Sequence, residues 1–512
     1  MRHPPSLLCL AALLLPHPAA GLSLHARRPA RTRTTCPTAA ATSAPLHAFD
    51  QWLSSNGVSH PHVEAKPLPG FGMSLVAAAD GVRAGATLLS VPASLHLSPR
   101  SVRESAVGRA VGGVISDESA LLALGLLHEA ARGAESKYGP YLAMLPSIEE
   151  MQVPLLWAEE ERAQLLAGSH LLTIVESTLL ELRTQWDALE RTAFREAAHL
   201  FPRETFRFER YLWAHAVVLT RALPFGDSLS LIPLLDFANH AAGANNTCSI
   251  AMRTADGGVE PLVEAAQLQR GGGEAAAVVT AGAALAPGEQ EGRPASAAAH
   301  ELAPTRHSSS QVFIDYGEAG WRSSWEMLYT YGFVPGDGDA WLAAGGRPIF
   351  FEGFSRDDPL AAQKAAVLVA LGADEAAAEG TWVELKALGR GGEMAPFLRL
   401  VELADDGATP HAAALAAWEA EPRALWAALQ LPLGAAAEAR VAARVRAECE
   451  AALRALPAAE ELKDAAAPPA GGGESGERVR RRLAARVLLG ERCALEGCLA
   501  HWERAARAAA AA

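Results

Sequence analysis

Apolar residues recur at three- and four-residue steps over residues 119–131 and again over residues 158–189, which predicts amphipathic helices in both stretches. Ahead of them the period shortens. Phe49, Trp52 and Leu53 predict a short helix, and Gly70-Phe71-Gly72 predicts a turn into the strand Met73-Ser74-Leu75-Val76-Ala77. Thr87-Leu88-Leu89-Ser90-Val91 predicts a second strand, stopped by Pro92. Short strands are expected around residues 248–252 and 276–280, and another over Val312-Phe313-Ile314. Beyond about residue 345 the chain is Ala, Leu, Glu and Arg at helical spacing, which predicts an all-helical C-terminal lobe. Pro468-Pro469 and Gly471-Gly472-Gly473 mark a break inside it, over residues 464–477.

With 512 residues the chain has room for two or three cores, and a hydrophobic share of 50% suits globular domains. A formal net charge of −13 argues against a protein held to nucleic acid by phosphate contacts. No apolar run is long enough to span a bilayer, so no membrane insertion is expected. The 6 cysteines show no CxxC pair and no His/Cys cluster at zinc spacing, so no metal is expected. Cys493 and Cys498 fall in an apparent helix and are expected as packed thiols, as in a reducing interior.

Residues 1–48 contain no Asp or Glu, combine the apolar stretch from Leu7 to Leu15 with Arg27, Arg28, Arg31 and Arg33, and are expected to be a targeting leader. An apolar core followed by an acid-free basic segment resembles a bipartite plastid leader. A secretory signal and a mitochondrial presequence are the alternatives. Residues 291–311, rich in Ala, Ser, Pro and His, interrupt the passage from Pro287-Gly288-Glu289-Gln290 to Val312 and are expected as an insertion, either a surface loop or retained intron sequence.

The candidate chemistry lies in two distant segments. One is Leu234-Leu235-Asp236-Phe237-Ala238-Asn239-His240; the other is Val312-Phe313-Ile314-Asp315-Tyr316-Gly317, running on to Tyr331-Gly332-Phe333. Alone, each has a plain structural explanation: a satisfied histidine, or a buried aromatic with its hydroxyl tied to backbone. In this order, and after Gly70-Phe71-Gly72 and Val91-Pro92, they resemble the SET-domain methyltransferases. The Pro140-Tyr141-Leu142 and Leu145-Pro146 phrase, with residues 208–221 leading into Leu223-Pro224-Phe225, is similar to the Rubisco lysine-methyltransferase-like subgroup.

The resemblance implies an α+β fold: a pseudo-knotted, β-rich SET core over residues 49–100 and 208–340, a helical insertion over 101–207, and the all-α C-terminal lobe over 345–512 for binding substrate. It implies S-adenosylmethionine as cofactor and N-methylation of a lysine in a non-histone protein, by a monomer. A histidine substrate and a non-catalytic binding module are the alternatives. Tyr331 and Tyr316 are then the catalytic pair lining the lysine channel. Phe71, Gly72, Met73, Arg221, Asn239 and His240 are carried over as cofactor ligands, and Asp236 with Arg221, Tyr316 and Tyr331 as substrate contacts. Ser74 stands where the family often has a second turn glycine, which requires a negative φ there. Phe225 and Ala251 replace two usual substrate-contacting side chains, so the Rubisco large subunit is not carried over as the target. No GxGxxG fingerprint follows a strand as in the classical Rossmann-type methyltransferases, and no Walker A loop or GxSxG elbow is present in the sequence.

Overall fold

The computed structural model describes residues 39–68, 70–78, 82, 85–225, 228–240, 248–253, 259–261, 276–281, 311–314, 322–334, 342, 344–373, 375–386, 394–403, 422–467 and 474–511. These divide into two compact units. The first is drawn from Met1–Met151, Ser177–Pro294 and Thr305–Ala319, the second from Gln152–Glu176, Ala295–Pro304 and Gly320–Ala512.

The first unit opens on α1 (Ala39–Ser55), longer than the helix expected at residues 49–53. Phe49 and Leu53, one turn apart, are both buried, and the Trp52 indole donates to the Lys137 carbonyl at 2.7 Å. β1 (Val63–Leu68) and β2 (Gly72–Ala77) form an antiparallel hairpin in which Leu68 faces Gly72. Its turn needs glycine for backbone angle rather than for space: φ is +80° at Gly70 and +68° at Gly72, and a Cβ at either would meet nothing within 4 Å. Ser74 meets the condition set for it, because among the described residues Leu234 alone is a non-glycine with positive φ.

After β3 (Thr87–Pro92), α2 (Glu118–Arg132) is capped by the Asp117 carboxylate, which accepts from Ala120 N–H at 2.7 Å, and it is buried from Ala120 to Leu127. The long helical pattern of residues 158–189 is two helices, Glu159–Leu165 and α3 (His170–Arg191). They part because Gly168 takes φ +78°, a left-handed conformation that no helix interior tolerates. α3 brings Trp186 against Phe194, Phe208 and Tyr211, the last two on α4 (Phe208–Arg221), with ring centroids 5.0, 6.1 and 5.3 Å away.

The hairpin β4 (Leu223–Phe225) and β5 (Ser228–Ser230) leads to the short strand β6 (Asn239–His240). β7 (Cys248–Arg253), β8 (Val259–Pro261) and β9 (Ala276–Ala281) complete a four-stranded sheet in the order β3-β9-β7-β8. β10 (Phe313–Ile314) pairs in parallel with β6.

The second unit takes in the helix Glu159–Leu165 and, further along the chain, α5 (Ser324–Tyr331), β11 (Gly346–Glu352), α6 (Ala361–Ala370), β12 (Gly380–Lys386), α7 (Met394–Glu402), α8 (Ala435–Ala455), α9 (Ala459–Ala466) and α10 (Gly476–Ala511). β11 and β12 pair antiparallel, Gly346 opposite Lys386 and Glu352 opposite Gly380, so the expectation of an all-helical C-terminal lobe is corrected. The strands form where aromatic and β-branched residues concentrate, Ile349-Phe350-Phe351 against Thr381-Trp382-Val383. α8 and α9 pack along α10, whose Leu488 and Leu495 are buried. Cys449 and Cys498 are free thiols, as expected of Cys498, and are hydrogen-bonded to each other between α8 and α10. Buried Arg399 of α7 holds buried Glu438 of α8 through two bonds of 2.8 and 2.9 Å. The whole is a mixed α+β protein, and no described helix is long and apolar enough to cross a membrane.

Candidate functional site

The first unit gathers most of the candidate residues. β6 carries Asn239 and His240 beside β10, with Phe313 opposite Asn239 and Ile314 opposite His240. On its other side the β10 segment meets β2: Val312 N–H donates to the Leu75 carbonyl at 2.9 Å, and Gln311 bridges to Val76. The two distant motifs therefore lie side by side, next to the strand that follows the glycine turn.

Side chains tie the same three segments together. The Asn239 amide nitrogen donates to Ser74 Oγ at 2.8 Å and to Gln311 Oε1 at 3.1 Å. Ser74 Oγ in turn donates to the Gly72 carbonyl at 3.2 Å. Ser74 and Gln311 are buried, Asn239 and His240 are half-buried, and Phe71 is exposed at 41%. The turn is thus reachable from solvent while its supports are not.

Asp236 sits at the base of the Asn-His segment. Its carboxylate is buried and accepts from the Tyr141 hydroxyl at 2.6 Å. Arg221, at the last turn of α4, donates from Nη1 to the Asp236 carbonyl at 2.9 Å, with Oδ2 at 3.9 Å and the guanidinium 5.7 Å from the Phe237 ring centre. Burial pushes the Asp236 carboxyl up from 3.8 to about 6, against the opposing pull of Arg221 and the Tyr141 hydrogen bond. Burial first, then Asp236, hold the Tyr141 phenol well above its usual range, so it stays a donor. Asp236 Oδ1 is buried and has no hydrogen-bond partner among the described residues. The segment is also strained: Leu234 has φ +71° and ψ −46°, close to the rare form of the γ-turn.

Tyr331 belongs to the second unit, at the end of α5. The helix starts where Glu326 Oε2 accepts from Ser323 N–H at 2.6 Å and stops at Gly332, φ +79°. A Cβ at Gly332 would lie 3.1 Å from Val153 N, so the residue after Tyr331 needs glycine for its angle and is crowded as well. The half-buried Tyr331 ring has Arg322 6.0 Å and Phe333 6.1 Å from its centre. Tyr316 lies outside the described residues.

Residues 355–495 match the family described as Rubisco LSMT substrate-binding. The chain superposes on the crystal structure of the SET domain of LSMT bound to lysine and AdoHcy, with TM-score 0.69 and 22% identity, covering 91% of this chain and 92% of that one. The chain therefore shares the fold of this LSMT SET-domain structure. The structure of Rubisco LSMT bound to AdoMet is similar to the same degree, TM-score 0.68 at 21% identity over 91% of this chain and 93% of that one. Among curated relatives, N-lysine methyltransferase SETD6 of Mus musculus is 30% identical over 190 residues, 34% of this chain and 39% of that protein. The Bos taurus protein of the same name is 29% identical over 220 residues, 40% of this chain and 48% of that protein. The chain therefore matches less than half the length of these relatives.

Within this LSMT-like fold, Asn239, His240, Asp236, Arg221 and the 71–73 turn are brought into one unit. Ser74, Gln311 and Tyr141, which hold Asn239 and Asp236, were not among the expected site residues. Ser74 carried a signal, a hydroxyl where a glycine is usual; Gln311 and Tyr141 did so only as motif neighbours.

Proposed function

We propose that the chain is an S-adenosylmethionine-dependent N-methyltransferase acting on a lysine side chain of a non-histone protein. The observation that carries this reading is the meeting of β6 with β10 beside β2, which brings the Asn-His dipeptide to the Gly72–Ser74 edge. We read that parallel crossing as the pseudo-knot of a SET core, residues 101–207 as its helical insertion and residues 345–512 as the substrate-binding lobe. The residues suit the cofactor: an exposed glycine turn with open space above it, beside a fixed amide.

When bound, the sulfonium of S-adenosylmethionine supplies a methyl group to an amine by in-line displacement. The chain's own residues must bind, align and desolvate. Asn239, His240 and residues 71–73 hold the cofactor, and Arg221, fixed on Asp236, keeps the segment that carries Asn239 in place. Asp236 Oδ1 is the acceptor we assign for the proton that the incoming ammonium gives up, since above about pH 6 the buried carboxylate is charged. Tyr331 and Tyr316, assigned on their motif, line the channel. There, desolvation disfavours the charged amine, so lysine is delivered neutral. The acid-free leader makes a plastid the destination we favour.

The test is incubation of the purified full chain with methyl-labelled S-adenosylmethionine and a plastid or whole-cell lysate, followed by mass spectrometry of labelled bands. Label on lysine supports the reading. Label on histidine moves it to the histidine alternative, and no label in any band with a folded chain defeats it.

A further inference from the structure

Asn239 is bound by more than its own strand. One amide hydrogen goes to Ser74 Oγ at 2.8 Å and the other to Gln311 Oε1 at 3.1 Å, so both donors are committed to protein. Ser74 passes the chain on by donating to the Gly72 carbonyl, at the turn expected to meet the cofactor. We infer that Ser74 and Gln311 are positioning residues that clamp the Asn239 amide and leave its Oδ1 as an acceptor for an N–H-bearing group of the cofactor. This rests on the methyltransferase reading above.

The argument is geometric. A side-chain amide carries its donors on one side and its acceptor on the other, so fixing the nitrogen fixes the aim of the oxygen. An unheld asparagine could rotate about χ1 or flip, and a ligand would have to order it on binding. Here the ordering precedes the ligand. Both clamps are buried and reach Asn239 from different strands, Ser74 from β2 and Gln311 from the segment that continues into β10. Ser74 makes its bond from a position where a glycine would offer no hydroxyl. Gln311 is the second of two glutamines that flank the 291–311 boundary, and it is the one whose oxygen reaches Asn239.

The measurement is calorimetric titration of S-adenosylhomocysteine into the full chain, for Ser74→Ala, Gln311→Met, Asn239→Ala and the double variants. Loss of one such hydrogen bond corresponds to about 3–10-fold weaker binding. Ser74→Ala and Gln311→Met are each expected to show that loss, and to add nothing further once Asn239 is alanine. Ser74→Thr, which keeps the hydroxyl, is expected to retain the parent affinity. A merely structural role would weaken binding equally in both backgrounds, and that result overturns the inference, as does unchanged affinity in both single variants. If Ser74→Ala does not fold, the Gln311→Met cycle decides alone by the same criteria. No heat from the folded parent chain would instead overturn the methyltransferase reading and this inference with it; heat with no coupling overturns the inference only.

Discussion

Asp236 shows how far a single residue can be pushed by its setting. The carboxyl is held at about 6 rather than 3.8 by burial, and the Tyr141 hydroxyl and Arg221 oppose the rise. The native state therefore binds a proton more tightly than the unfolded chain does. Its contribution to stability is present below about pH 4 and is lost as the pH rises through about 6, a swing of about 3 kcal/mol. Replacing Tyr141 by Phe removes a hydrogen bond that favours the charged form, so the midpoint should climb further. Carboxyl carbon NMR, with the resonance assigned from Asp236→Asn, reads this directly; a midpoint below 4, or a downward move in Tyr141→Phe, counts against the geometry. Tyr331 calls for a different measurement. If its hydroxyl acts at the reacting centre, Tyr331→Phe should slow methyl transfer by about 10²-fold or more while affinity for S-adenosylhomocysteine stays within a few-fold. Equal turnover in parent and variant removes the assigned role.

Among the elements, the end of α5 carries two separate demands on one glycine. Gly332 needs φ +79°, and a Cβ there would press on the Val153 backbone at 3.1 Å. Gly332→Ala should therefore cost about 1–3 kcal/mol, and more than Gly72→Ala, where φ is +68° but the space is open. Differential scanning calorimetry of both variants checks the order, and equal losses would mean that crowding at Val153 contributes nothing. This contrast also explains what the sequence could convey. Gly332 was legible only as part of the Tyr331-Gly332-Phe333 motif, and its crowding comes from a backbone nearly 180 positions away that leaves no local mark. α2 and β2 were legible because their patterns are set by neighbours in the chain. β11 and β12 were not, because Ile349-Phe350-Phe351 and Thr381-Trp382-Val383 are brief runs inside an Ala-rich stretch, and only their mutual pairing makes them strands. The site followed the same division. Asn239, His240 and Asp236 announce themselves through their motif, while Ser74 and Gln311 matter only through hydrogen bonds closed by β-pairing across 165 and 72 positions.

At the scale of the whole molecule, the question is whether the core segment from Val312 depends on residues 291–311, which the sequence marks as an insertion. The two ends of residues 291–311 give the answer a testable form, because Gln290 precedes the interruption and Gln311 closes it. Excision of residues 291–311 joins Gln290 directly to Val312, so a glutamine still stands before the strand and can take up the place beside Asn239. The Val312 N–H bond to Leu75 and the parallel pairing of β10 with β6 do not draw on the excised residues other than Gln311. The excised chain should therefore fold cooperatively, with a thermal midpoint equal to or above that of the parent, since a shorter connection costs less closure entropy, by a few tenths of a kcal/mol to about 1. It should also bind S-adenosylhomocysteine with the parent affinity. Changing the retained Gln290 to Met in the shortened chain should then reproduce the loss seen for Gln311→Met in the full one. A shortened chain that no longer unfolds cooperatively would show that the interruption is part of the core's own support. One that folds but binds normally with methionine at that position would show that no glutamine is needed at the join.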